Sequence, residues 1–163
     1  MEPTAAYPDP SAVENVIVIG SDHAGYTLKQ TLTSHLQQNG FTVADIGTDS
    51  DVSVDYPDIA QQLAIKVQSN GSRGILICGT GIGMAIAANR FRGIRAANVS
   101  EPFTAAAAKA HNNANVICLG SRVIGSELAL AIVDTWLRAT FEGGRHSRRV
   151  TKLDQQSEGK VLR

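Results

Sequence analysis

The stretch from Gly74 to Arg90, GILICGTGIGMAIAANR, holds the densest chemistry in the chain. Cys78 offers a sulfur that can act as base or nucleophile. Gly79-Thr80-Gly81-Ile82-Gly83 follows with three glycines in five residues. Glycine lets the backbone bend so that successive N–H groups face one point. Met84 to Ala88 is a helix-favouring run, and a helix start brings the positive end of its dipole to the same point. An anion is expected there with a thiol beside it, which suits chemistry on a substrate whose oxygen becomes negative. The spacing is not the dinucleotide-binding fingerprint, because Met84 stands where a third Gly or Ala is needed. No GK[ST] follows, so it is not a P-loop. Taken alone, a cysteine at the end of an apolar strand is more often a buried core thiol in a glycine-rich connection.

Such a turn needs a strand before it and a helix after it. Ile75 to Ile77 is apolar and mostly β-branched, as in a strand covered on both faces. Val16 to Ile19 reads the same way and runs into Gly20-Ser21-Asp22-His23-Ala24-Gly25. Leu28, Leu32 and Leu36 recur every four residues, which predicts a helix ending at Asn39-Gly40. Phe41 to Ile46 is the next strand. Asp55-Tyr56-Pro57-Asp58 opens a helix with Pro57 in its first turn and Gly71 past its end. Ile94 to Val99 is a fourth strand, and Ser100 is the expected N-cap of the Ala-rich helix that runs to His111-Asn112-Asn113. Asn115 to Leu119 is a fifth strand. Ala129, Ile132, Val133, Trp136 and Leu137 share one face of a helix expected to end near Gly143-Gly144, and a last helix covers Arg145 to about Gln156. Five strands alternating with helices predict an α/β fold: a three-layer αβα, Rossmann-like, five-stranded parallel sheet with a C-terminal helix. Residues 16–163 are expected to be one domain behind a loose leader, 1–15. Ligands of such sheets bind beyond the carboxyl ends of the strands. Asp22, His23, Cys78 and the glycine turn are all expected on that rim.

Composition narrows the classes. The 163 residues carry fifteen acids and fifteen Lys or Arg, so no global field points to nucleic acid or membrane. From Arg138 onward there are seven Lys or Arg against three acids, net +4, and the remainder is net −4. Two cysteines forty apart give neither a disulfide framework nor a metal-binding spacing. No apolar run reaches a membrane span, and the leader lacks a signal peptide's charged and apolar regions. The cytoplasm is the expected compartment.

SDHAG (Ser21 to Gly25), DYPD (Asp55 to Asp58), ICGTGIGMAIAANRFRGIRA (Ile77 to Ala96), SEPF (Ser100 to Phe103), HNNANV (His111 to Val116), GSRVIG (Gly120 to Gly125) and EGGRH (Glu142 to His146) closely resemble type B ribose-5-phosphate isomerases. The wider family includes allose-6-phosphate and galactose-6-phosphate isomerases. The resemblance runs from about Val16 to Lys152. It implies reversible conversion of ribose 5-phosphate to ribulose 5-phosphate through a cis-enediolate, a step of the non-oxidative pentose phosphate pathway, without a metal or other cofactor. It also implies homodimers, sometimes paired into tetramers, whose sites borrow residues from the neighbouring subunit.

Carried onto this chain, the resemblance makes Cys78 the base that moves a proton between C2 and C1. In another branch of the family a Glu acts from the position of Met84; methionine cannot, so this chain resembles the cysteine branch. The N–H groups of Gly79, Thr80, Gly81, Ile82 and Gly83 would hold the enediolate oxygens. Thr80 and His111 would help to open the sugar ring, His111 from across the dimer interface. Asp22 would bind hydroxyls and relay a proton, Asn112 would contact a hydroxyl, and Tyr56 would line the sugar. His23, Arg145 and Arg149 would hold the phosphate, with Arg122 as a third arginine supplied by the partner. Arg145 and Arg149 are four apart, so they share a helix face and can grip phosphate oxygens together. His35 and Cys118 read as structural, Arg148 and Lys152 as a solvated face, and His146 is left without a role. Two rivals stand beside this reading: a six-carbon sugar phosphate as substrate, and a non-catalytic module holding a nucleotide phosphate in the glycine turn.

Overall fold

The computed structural model describes residues 15–156. The expected leader lies outside the described residues except Asn15, whose side chain donates to Gly40 O at 2.8 Å. Five strands, β1 (Val16–Ser21), β2 (Thr42–Asp45), β3 (Arg73–Cys78), β4 (Ala96–Asn98) and β5 (Val116–Gly120), form one parallel sheet in the order β2-β1-β3-β5-β4. The helices are α1 (Tyr26–Gln38), α2 (Tyr56–Asn70), α3 (Ile82–Ala88), α4 (Pro102–Asn112), α5 (Ser126–Arg138) and α6 (Arg145–Gln156).

The period-2 alternation of each strand divides the core. Ile17, Ile19, Ile75, Ile77, Ile117 and Leu119 face α1, α4 and α5, where Leu32, Ala105 and Trp136 pack on them. Val18, Leu76, Cys78, Val116 and Cys118 face α2 and α3, against Leu63 and Met84. This is the expected three-layer arrangement.

Two local expectations are corrected. The N-cap of α4 is Glu101, not Ser100: its carboxylate accepts from Phe103 N at 2.6 Å and Thr104 N at 2.7 Å, covering two donors that a shorter serine covers singly. Helix α5 stops at Arg138 and does not continue toward Gly143-Gly144. Its buried stripe ends at Leu137, whose carbonyl takes a bond from Arg73 Nη1 at 3.2 Å. The chain then leaves to reach α4, where Glu142 N donates to Ala110 O at 3.0 Å.

Candidate active site

β1 and β3 are neighbours, yet the connection leaving β1 goes outward to β2 and the one leaving β3 goes the other way to β4. A crevice opens at such a reversal, beyond the carboxyl ends of the two strands. Asp22 and Cys78 stand at those ends. Asp22 N donates to Ile77 O at 3.1 Å, which ties the two strand ends together. The Asp22 carboxylate is buried, and Oδ1 accepts from Ala24 N at 2.9 Å and Gly25 N at 3.2 Å. Asp22 is thus the cap of a short 3-10 turn, and its second oxygen makes no bond to the described residues. His23 is half-buried, and its Nδ1 accepts from Val54 N at 3.4 Å, in the loop that leads to Tyr56.

The glycine turn is folded around the sulfur. Gly81 lies at φ 79°, a left-handed conformation open to glycine, and its N–H donates to Cys78 Sγ at 3.1 Å. The turn is thereby closed onto the sulfur by a backbone donor. The sequence alone suggests that all five N–H groups from Gly79 to Gly83 face the substrate. The structure commits two of them internally: Gly81 to the sulfur and Ile82 to Thr80 Oγ1 at 3.3 Å. Those of Gly79, Thr80 and Gly83 make no hydrogen bond to the described residues. Tyr56 packs on the turn so closely that a Cβ on Gly83 would lie 2.6 Å from its ring.

β5 ends beside the turn. Ser121 N donates to Cys78 O at 2.9 Å, and Arg122 N to Gly79 O at 3.1 Å. Ser121 Oγ reaches Ala24 O at 2.8 Å and so joins three loops. The guanidinium of Arg122 lies over Gly79, 3.4 Å from where a Cβ would stand. This corrects the expectation that a partner supplies Arg122: the β5 loop folds it onto the glycine turn of its own chain. Ser121 drew no attention in the sequence because its role depends on sheet order. Asn98, whose Oδ1 would be 2.5 Å from a Cβ on Gly81, escaped for the same reason.

The remaining residues are elsewhere. His111 and Asn112 end α4, and a helix following a parallel strand runs back toward the amino ends of the strands. The eleven residues of α4 span ~16 Å, so these side chains lie at the opposite end of the sheet from Cys78. Arg145 and Arg149 start α6 at that same lower end, beside His146. The His111 and His146 rings stack there at 4.5 Å with 8° between planes. Glu142 Oε2 is 3.8 Å from His111 Nε2 and 3.6 Å from His146 Nε2. Burial first, then the neighbouring His111 and Arg145, hold His146 below the ordinary imidazole range, while Glu142 pulls the other way. Among the described residues, His111, Glu142 and His146 form the group whose ligand atoms are close enough for a metal ion.

Cys118 is fully buried in β5, and that burial, followed by the nearness of Cys78, pushes its thiol far above the usual range. It is a core residue, as its sequence context suggests. His35 pairs with Asp134 at 2.7 Å and joins α1 to α5, again a structural role.

A doubly wound parallel sheet with a thiol and a glycine turn at its switch point is the layout of an α/β protein that takes its ligand at the strand ends. The Ribose/Galactose Isomerase family profile matches residues 17–153, and the chain belongs to that family. It is 51% identical over 138 residues to the ribose-5-phosphate isomerase B of Escherichia coli K12, covering 84% of this chain and 93% of that protein. It is 49% identical over 139 residues to a D-erythrulose-4-phosphate isomerase of Pectobacterium atrosepticum, covering 84% and 91% of the two chains. The structure of Clostridium thermocellum ribose-5-phosphate isomerase B superposes with a TM-score of 0.87 at 49% identity, over 88% of this chain and 98% of that one. The Mycoplasma genitalium ribose-5-phosphate isomerase B with bound ribulose-5-phosphate gives 0.86 at 46% identity, over 89% and 97%.

Proposed function

We propose that this chain is an aldose–ketose isomerase interconverting ribose 5-phosphate and ribulose 5-phosphate. Relatives near half identity carry that activity in their names, and one solved relative holds ribulose-5-phosphate. The observation that carries the mechanism is the Gly81 N–H bond to Cys78 Sγ inside a turn whose other N–H groups are open. Cys78 takes the proton from C2 of the opened aldose and returns it at C1. The charge that appears on the enediolate oxygens meets the N–H groups of Gly79, Thr80 and Gly83 beside the α3 start. Donors aimed at charge present only around the transition state lower the barrier without tightening the ground state. Asp22 offers its second oxygen to the sugar hydroxyls, and Tyr56 walls the sugar.

Two copies of the chain complete each site. Cys78 and His111 lie at opposite ends of one sheet, so a second copy must bring His111, Asn112, Arg145 and Arg149 to the first copy's sulfur. Ile82 and Ile86 on α3 are 54% and 57% exposed and Phe103 at the start of α4 is 78% exposed. Large apolar side chains around a catalytic rim suit burial by a partner. His111 then opens the sugar ring with Thr80, and the two arginines hold the phosphate together with Arg122 and His23. Both thiols are free, which suits a reducing compartment, and we assign the reaction to the cytoplasm.

The likeness to a D-erythrulose-4-phosphate isomerase makes sugar length the point to measure. Comparing kcat/KM on ribose 5-phosphate, allose 6-phosphate and D-erythrulose 4-phosphate should favour the five-carbon sugar by at least about tenfold, the worth of a few well-placed contacts. A preference for either of the others would replace the assigned substrate.

A further inference from the structure

His111, Glu142 and His146 converge at the lower end of the sheet, and the reaction described above uses only the first. One ligand atom from each lies within 4.8 Å of the others. The Nε2 atoms are 3.8 and 3.6 Å from Glu142 Oε2, whereas the donors of a tetrahedral zinc centre stand about 3.4 Å apart. These two separations need to shrink only slightly. The rings are stacked at 8° and both Nε2 atoms lie beside Glu142 Oε2, so turning each ring about its soft terminal torsion can aim both at one ion. The backbone already holds the cluster: Glu142 N donates to Ala110 O at 3.0 Å, and the His146 ring is buried in the first turn of α6.

We propose that His111, Glu142 and His146 form a three-ligand site for a divalent transition ion, Zn2+ foremost, and that filling it switches the isomerase off. Two imidazoles and one carboxylate suit Zn2+, while Mg2+ and Ca2+ favour oxygen alone. The ion has no part in isomerisation. It occupies a ring nitrogen of His111, and a metallated imidazole cannot trade protons with a sugar oxygen. The switch therefore rests on the role assigned to His111, while the binding does not. Arg145 and Arg149 oppose the cation, and Arg145 Nε donates to His146 Nε2 at 3.4 Å, a bond the metal displaces. The site is accordingly weaker than a structural zinc centre, which suits a reversible switch.

Co2+ is the probe, because its absorption reports a tetrahedral site without any turnover. The Cys78→Ala chain removes the competing thiol and should still develop the tetrahedral Co2+ spectrum, which Zn2+ then bleaches. Adding Glu142→Gln or His146→Asn to that chain should weaken Co2+ binding at least about tenfold. In chains that keep Cys78, Zn2+ should inhibit turnover reversibly, and Glu142→Gln should raise the inhibitory concentration by a similar factor. A Cys78→Ala chain that binds no Co2+, or Co2+ affinity untouched by both ligand substitutions, overturns the site. Equal Zn2+ inhibition with and without Glu142→Gln overturns the switch and points to the thiol. Failure of the isomerase reading appears separately, as absence of turnover in a chain that still gives the Co2+ spectrum.

Discussion

Cys78 is a buried residue at 5% exposure that stands at the head of the glycine turn. Cys118, two strand positions into the same core layer, is wholly buried. Cys78 differs from it in taking the Gly81 N–H on its sulfur, at the head of the glycine turn. Cys78→Ala should cut turnover by roughly 10²–10⁴-fold, the usual worth of a positioned acid–base group. Ribose 5-phosphate should still raise the melting temperature of that variant, because binding rests on other groups. Normal turnover in that variant would rule out the thiol as base. Gly81→Ala tests the turn itself. Its backbone lies at φ 79°, which costs a side-chain-bearing residue about 1–2 kcal/mol, and the new Cβ would meet Asn98 Oδ1 at 2.5 Å. Thermal unfolding should show at least that loss, with activity falling alongside. At this scale the placement of Cys78, Asp22 and the glycines at the carboxyl ends of the strands was legible, because strand pattern and turn residues mark it. The bonds that use up the Gly81 and Ile82 N–H groups depend on torsions that spacing does not encode.

Elements were legible where periodicity is strong and less so at their ends. Leu28, Leu32 and Leu36 mark α1, but Lys29, 1% exposed and paired with Asp45 at 2.5 Å, does not announce itself as buried. A long charged side chain pays for burial with a partner, and that partner is sixteen residues away on β2. The α4 cap shows the same limit, since Ser100 and Glu101 are both acceptors and the backbone decides between them. Hydrogen bonds from the Thr104 hydroxyl first, then from the Thr104 and Phe103 N–H groups, hold the Glu101 carboxyl below its ordinary range. A carboxyl lowered in the folded state stabilises it above the unfolded value near 4.3, and that contribution fades as pH falls through the lower folded value. Glu101→Ala should therefore lower the melting temperature at pH 7 and by less at pH 3. An equal difference at both pH values would show that the cap does not act through its charge.

For the whole molecule, the fold class and all five strands could be read from alternation and turn residues, whereas the strand order could not. Order decides that Asp22 and Cys78 stand side by side, and that Arg122 lies over the glycine turn of its own chain. Helix direction also separates Cys78 from His111 by the depth of the sheet, so under the proposed function a site that uses both needs two copies. The most direct test mixes two variants, Cys78→Ala and His111→Ala, each inactive by itself. After subunits are exchanged by unfolding and refolding together, half of random dimers pair one of each. Such a dimer has one site with both changes and one with neither, so about a quarter of all sites recover. Recovery of roughly a quarter of wild-type turnover is the expected result. A mixture as inactive as its components, in particles shown to contain both variants, would contradict a site shared between copies.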